Sequence, residues 1–266
     1  MKRAIMFFAA AVLALATTAM AGVILDQEVK SDGPMGTSTN KRTLEIQGHK
    51  QKVTNNNHSV ITDLDNGVMI LLDPSAKTYT EMPFPPTQLG AHQGPGAFKI
   101  SFKKTGKQRT EKGYRCDEYV GSGHMMMGDY TVTGCFSKNA PGATDYTVFD
   151  KALESKLKGT PMETQGSRPE GVPLVLSSKT KMDPSTMPGL SPERAKAIAS
   201  HPNMTSDTRT TSVKVANLPA DTFSVPAGYT KREMPKQGGG MPAGHPQMPA
   251  GHPPVGQPGA QQKIPE

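Results

Sequence analysis

The sequence predicts a mainly β protein, a single curved antiparallel sheet wrapped around one or two helices. Short β-prone runs broken by turn chemistry recur from Val23 to Tyr229. Ala97 to Lys104 sets Phe98, Ile100 and Phe102 against Lys99, Ser101 and Lys103, the period-two pattern of a strand with one buried and one wet face. Only two segments carry helical signals. Many strands and few helices leave more apolar sheet face than helices alone cover, so a helix or a ligand must hide the rest.

The clearest hairpin joins Val60–Leu64 to Val68–Leu72 through Asp65-Asn66-Gly67, because Asn-Gly between β-prone runs favours a tight turn. Asp73-Pro74-Ser75-Ala76 turns the chain again into Lys77–Met82, and three strands joined this way form an antiparallel meander. Upstream, Val23–Val29 and Thr43–Val53 read as strands, the latter turning at Gln47-Gly48. Pro83–Gly96 reads as a loop long enough to cover an opening. Thr110–Val120 and Asp129–Ser137 follow Ala97–Lys104 as a further pair. Tyr146, Phe149, Leu153 and Leu157 line one helix face, with Thr144 or Asp145 as N-cap and Gly159 past the end. Ser191-Pro192-Glu193-Arg194-Ala195 starts a shorter helix, with serine as cap and proline at its first position. Strands return at Val172–Lys179, Thr210–Val215 and Thr222–Val225.

Cys116 and Cys135 flank the run Gly121-Ser122-Gly123-His124-Met125-Met126-Met127-Gly128. Placing the cysteines opposite each other pairs Glu118 with Thr133 and Val120 with Thr131, and centres the turn on Met125-Met126. Opposed residues lie close enough for a disulfide. A redox-active or metal-binding pair is the alternative, but there is no C-x-x-C and no zinc-type spacing.

Met1–Ala21 reads as a secretory signal, with Lys2 and Arg3, an apolar stretch from Ile5 to Ala16, and Ala19-Met20-Ala21 before a cut at Ala21-Gly22. This predicts a periplasmic or secreted chain with no transmembrane span after cleavage. Removal of Lys2 and Arg3 leaves 28 basic against 23 acidic residues. That excess reads as dispersed. It does not suit a nucleic-acid-binding face, while peripheral contact with anionic membrane is compatible with it. Residues 22–233 form the expected β domain, and 234–266 a tail. The tail holds 15 Pro plus Gly in 33 positions and no aromatic residue, a composition expected to be disordered.

Within the tail, Met241-Pro242-Ala243-Gly244-His245-Pro246 recurs as Met248-Pro249-Ala250-Gly251-His252-Pro253. Thioether and imidazole are ligands that soft metals prefer, copper(I) above all. Met241, His245, Met248 and His252, with His124, Met125, Met126 and Met127, are therefore candidate copper ligands. The alternative is a duplicated flexible tail and an apolar hairpin tip. No G-x-S-x-G, H-E-x-x-H, P-loop or G-x-G-x-x-G occurs. His49, His58, His92 and His201 stand apart from one another, and Asp63 and Asp65 flank a turn, where aspartate binds backbone. The sequence proposes no reaction, no catalytic residue and no obligatory cofactor.

The segments DNGVMILLDPSAKTYTEMPFP, TGKQRTEKGYRCDEYVGSG, EGVPLVLSSKT and LPADTFSVPAGYTKREMP together resemble an exported bacterial domain-of-unknown-function family related to lipoprotein-carrier (LolA-like) and lipoprotein-receptor half-barrels. The resemblance spans about residues 23 to 234. It implies a strongly curved sheet around a helix, a periplasmic setting and an apolar cavity, which in the carrier branch holds acyl chains. A non-enzymatic scaffold for a lipid or other apolar ligand is the function it suggests. Candidate lining residues are Ile61, Met69, Leu71, Phe98, Ile100, Phe102, Phe149 and Leu153, with core filling as the alternative role for each.

Overall fold

The structure is a computed structural model that describes residues 21–34, 36–56, 58–86, 98–125, 128–160, 162–187 and 190–233. All described elements belong to one compact unit, Met1–Glu233. Twelve strands form one sheet: β1 (Gly22–Gly33), β2 (Gly36–Gln47), β3 (Lys50–Asn55), β4 (His58–Asp63), β5 (Val68–Asp73), β6 (Thr78–Pro83), β7 (Phe98–Glu111), β8 (Tyr114–Met125), β9 (Gly128–Ser137), β10 (Val172–Met182), β11 (Asn203–Ala216) and β12 (Thr230–Lys231). Helix α1 (Ala143–Leu157) lies between β9 and β10 in the chain, and α2 (Pro192–Ser200) between β10 and β11. The spatial order is β12-β6-β5-β4-β3-β2-β1-β11-β10-β9-β8-β7. The sheet is open and curved, and antiparallel except for β12, which pairs parallel with β6.

Register assigns the faces. Val23 pairs with Ile46 and Leu25 with Leu44; Leu44 pairs with Val53, and Val53 with Val60. These residues share the inner face, on which α1 packs. Val23, Leu25, Leu44, Ile46, Val172, Leu174 and Phe149 belong to one buried cluster there. A second constraint acts on the outer face. The chain leaves β11 beside β1 and rejoins the sheet beyond β6, so residues 217–229 must cross β1 to β6. Gly22 permits this: a Cβ there would lie 2.6 Å from Leu218 Cδ1. Ile61 and Leu72 lie on the outer face and are buried.

Turn chemistry accounts for most boundaries. At the β4–β5 turn, Asp63 Oδ1 accepts from the Asp65 and Asn66 backbone N–H groups at 3.1 and 3.0 Å. Its Oδ2 accepts from Asn66 Nδ2 at 2.8 Å and pairs with Lys50 Nζ at 2.9 Å. Burial alone would raise this carboxyl's pKa, but the Asn66 donors and the Lys50 ammonium outweigh it and hold the value below the ordinary one. Asp65 instead meets His49 Nδ1 at 2.7 Å. Ser191 caps α2 as expected, its Oγ accepting from Arg194 N at 3.4 Å, with Pro192 at the first helical position.

Several expectations need correction. Thr110–Val120 is not one strand: Lys112 and Gly113, at φ 52° and 82°, make a tight hairpin turn between β7 and β8. Thr222–Val225 is not a strand. Thr222 N donates to Pro219 O and Ser224 N to Asp221 O, so prolines and turns occupy the segment. The N-cap of α1 is Gly142, two or three residues before the expected Thr144 or Asp145. The disulfide between Cys116 and Cys135 is present, with Cα atoms 5.4 Å apart, but the register differs. Glu118 faces Cys135 and Val120 faces Thr133. The cysteines are therefore diagonal neighbours, and the turn is bracketed by Met125 and Gly128. A shift of two residues preserves which face each side chain takes, and an adjacent diagonal still lies within disulfide reach. Residues 1–20, 234–266 and most of Pro83–Gly96 lie outside the described residues.

Replacing Asp63 by alanine should lower stability by about 2 kcal/mol at neutral pH in urea denaturation, because four donors lose their acceptor. Because the folded-state pKa is depressed, the contribution is complete above the unfolded-state value and lost as pH falls through the folded one. The gap between variant and wild type should thus close in acid. A gap independent of pH would contradict this assignment.

Candidate functional site

Helix α1 is an excursion between β9 and β10, two strands that pair directly. At the end of β9, Ser137 Oγ donates to Arg115 O at 2.7 Å and accepts from Asn139 N and Ala140 N at 3.2 and 3.1 Å. Gly142 then takes φ 69°, and a Cβ there would lie 2.5 Å from Val23 Cγ2. Glycine is required on both counts. The turn delivers α1 onto the inner face, where Tyr146, Phe149 and Leu153 pack on the buried cluster. After the helix, Gln165 N donates to Ile100 O at 2.8 Å, so the returning segment clips onto edge strand β7.

A cavity of about 330 Å3 lies where these parts meet. Gln51 and Thr62 contribute one wall from β3 and β4. Phe84, just past β6, and Ile100 of β7 contribute a second. Phe149, Leu153 and Leu157 of α1 form another side, and Met162, Thr164 and Arg168 close it from the returning segment. Its volume is at the lower end of small-molecule sites, and its lining is mainly apolar with a few polar groups, the usual composition of such sites.

Several polar groups near the helix are hydrogen-bonded to one another. Arg42 Nε donates to Gln27 Oε1 at 2.8 Å, Gln27 Nε2 to Thr210 Oγ1 at 3.1 Å, and Thr210 Oγ1 to Pro173 O at 2.6 Å. This chain of bonds crosses four strands on the inner face. Arg168 Nη1 lies 3.0 Å from Asp150 Oδ1. Burial raises the Asp150 carboxyl's pKa, opposed by Arg168 and reinforced by Glu154. Burial also raises the Tyr146 hydroxyl and lowers the Arg42 guanidinium.

Of the eight residues expected to line a site, Ile100, Phe149 and Leu153 come together in this cavity. Met69 and Leu71 share the inner face farther along β5: Met69 pairs with Thr62 and Leu71 with Val60. Phe102 packs over Gly121, where a Cβ would lie 2.8 Å from its Cε1. Ile61 alternates with Thr62 and sits on the outer face, which corrects its assignment to the lining. Phe98 lies in β7, but its side chain is outside the described set. Phe84, Met162 and Arg168 were not anticipated, since no local pattern marks them. Gln51 and Thr62 face each other across β3 and β4 and were recoverable from that register.

The candidate copper ligands fare differently. His124 Nδ1 lies 3.2 Å from Asp129 Oδ1. The side chains of Met125, Met126 and Met127, with Met241, His245, Met248 and His252, lie outside the described residues. Among the described residues, no group of three or more His, Cys, Asp or Glu is arranged to hold a metal, and no helix is long and apolar enough to cross a membrane.

Residues 23–158 match the family described as a domain of unknown function, DUF4412. The chain belongs to that family. The DUF4412 match covers β1 to α1, and therefore the helix and the β3, β4 and β7 walls of the cavity. No curated protein matches the chain. Among solved structures, PNGF-II is 12% identical with a TM-score of 0.38 over 80% of this chain. The chain spans only 31% of PNGF-II. A putative outer membrane lipoprotein-sorting protein domain from Vibrio parahaemolyticus is 10% identical, with TM-score 0.32, covering 76% of this chain and 89% of its own. A LolA superfamily protein from Nitrosomonas europaea is 6% identical, with TM-score 0.30, covering 78% of this chain and 91% of its own.

Phe149 and Leu153 should separate core from cavity wall. Phe149 is buried in the cluster, so Phe149→Ala should cost about 3–5 kcal/mol. Leu153 is only half-buried beside open space, so Leu153→Ala should cost about 1–2 kcal/mol. Equal losses in chemical denaturation would mean that the cavity wall is packed as tightly as the core.

Proposed function

We propose that this DUF4412 protein is a non-enzymatic, exported binding scaffold that accommodates a lipid or other apolar ligand between α1 and the curved sheet. The observation that carries this reading is the cavity: Phe84, Ile100, Phe149, Leu153, Leu157 and Met162 turn apolar surface toward space that the helix leaves unfilled. Apolar lining gives water few partners, so a hydrophobic occupant gains by displacing it. A periplasmic setting agrees with the signal-like N-terminus and with the Cys116–Cys135 bond, since disulfides persist in oxidising compartments.

Native mass spectrometry and lipid extraction of protein purified from its own envelope test this reading. The wild-type chain should carry a bound apolar molecule. Leu153→Trp, which fills part of the cavity, should lose it while keeping its far-ultraviolet circular dichroism. A wild-type protein that is ligand-free and takes up no added lipid sinks the reading.

A second observation supports membrane contact. The hairpin of β7, its turn and β8 carries Lys99, Lys103, Lys104, Lys107, Arg109, Lys112 and Arg115 against Glu111, Asp117 and Glu118, a formal excess of four. The mature chain's whole excess is five, so its positive charge is concentrated on one hairpin rather than dispersed. Lys104 pairs with Asp117 at 2.7 Å, and Lys103 and Lys112 are exposed nearby. Each basic residue near an anionic bilayer contributes about 1 kcal/mol. Co-sedimentation with phosphatidylglycerol-containing vesicles should therefore fall as salt rises. It should drop further in Lys103→Glu with Lys112→Glu. Binding indifferent to both changes would remove the hairpin from this role.

A further inference from the structure

Arg168 is the charged residue in a cavity whose other walls are neutral. Its Nη1 atom is buried and makes no hydrogen bond. Asp150 Oδ1 lies 3.0 Å from that atom, close enough for attraction but not aligned to accept its proton. A buried donor that is charge-paired but not hydrogen-bonded is incompletely satisfied, and a guanidinium is a planar fork suited to a carboxylate or phosphate. The surrounding charges do not remove the opportunity. Arg42 is engaged with Gln27, and Glu154 acts on Asp150.

We propose that the cavity selects a single-chain anionic amphiphile, with its apolar chain against Ile100, Phe149, Leu153 and Leu157 and its anionic head on Arg168. This rests on the reading of the cavity as a site for apolar ligands, and it adds a requirement on the head group. The arrangement assigns two separate tasks. The apolar walls supply affinity for any chain of suitable length, and Arg168 discriminates among heads. Asp150 then acts as the internal stand-in for the ligand's anion, keeping the guanidinium positioned when the site is empty and yielding to an acceptor of better geometry.

Calorimetric titration of the delipidated full-length mature chain with decanoate and with decanol, at neutral pH, tests the assignment. The two probes share an alkyl chain and differ at the head. Decanoate should bind at least about tenfold tighter than decanol, the effect expected of a charge-assisted hydrogen bond in a partly buried site. Arg168→Met should bring decanoate down to the decanol level and leave decanol unchanged. Asp150→Asn removes the competing acceptor's charge, so decanoate should tighten while decanol stays the same; this variant serves if Arg168→Met does not fold. Equal wild-type affinities, a preference that survives Arg168→Met, or an Asp150→Asn variant without selective tightening would overturn the head-group assignment while leaving the apolar cavity intact. Failure of both probes to bind would overturn the cavity reading along with it.

Discussion

A twelve-stranded sheet must cover its inner face, and α1, of 15 residues, is the long helix that the chain places there. Much of the described architecture follows from this mismatch. The sheet curls until β4 on one side and β7 on the other both approach the helix, with Gln165 clipping β7 to the segment that leaves it. Curvature reduces the uncovered area without eliminating it, and the cavity is part of what remains. A second helix on the inner face would have made an ordinary closed core. The outer face is handled by a different device, the crossing of residues 217–229 from β11 to the far side of β6. Among the described residues, α1 packs on the inner face and residues 217–229 cross the outer one, which puts α1 in charge of the interior.

How that interior is stabilised depends on depth. Near β1, β2 and β10 the helix rests on buried aliphatic side chains and the neighbouring disulfide. Beside them a hydrogen-bonded chain through Arg42, Gln27 and Thr210 satisfies polar groups that burial would otherwise penalise. Toward its C-terminal end, α1 meets Ile100 and Phe84 across open space instead. The helix is thus anchored at one end and roofs a void at the other.

Much of the fold was legible because its signals are local. Asn66-Gly67, the alternation around Ile100, the Ser191-Pro192 helix start and the apolar face of α1 each reflect chemistry within a few residues. The misreadings arose where a local preference met a different local constraint. A β-prone Thr222–Val225 lost to flanking prolines, and the Lys112-Gly113 turn was hidden within a run that otherwise alternates well. The disulfide was foreseen but its register was not, since cysteines bond diagonally as well as directly across. The cavity was only partly legible. Ile100, Phe149 and Leu153 announce themselves as apolar residues on a patterned face, but Phe84, Met162 and Arg168 reach it from irregular segments whose positions depend on the whole curl of the sheet. Ile61 illustrates the converse: apolarity marks burial without saying which face is buried.

An open sheet has two rims, and both are made unattractive to neighbouring chains. At one rim, β12 offers only Thr230 and Lys231, and Lys231 Nζ holds Glu81 at 3.0 Å across the pairing. At the other, Ser101 is bridged to Gln165, and the strand beyond it is rich in lysine. Short, charged or covered rims deny an incoming strand a continuous ladder of hydrogen bonds. The open sheet is thereby kept from acting as a template for polymerisation, a hazard that unclosed β-structure would otherwise face at high concentration.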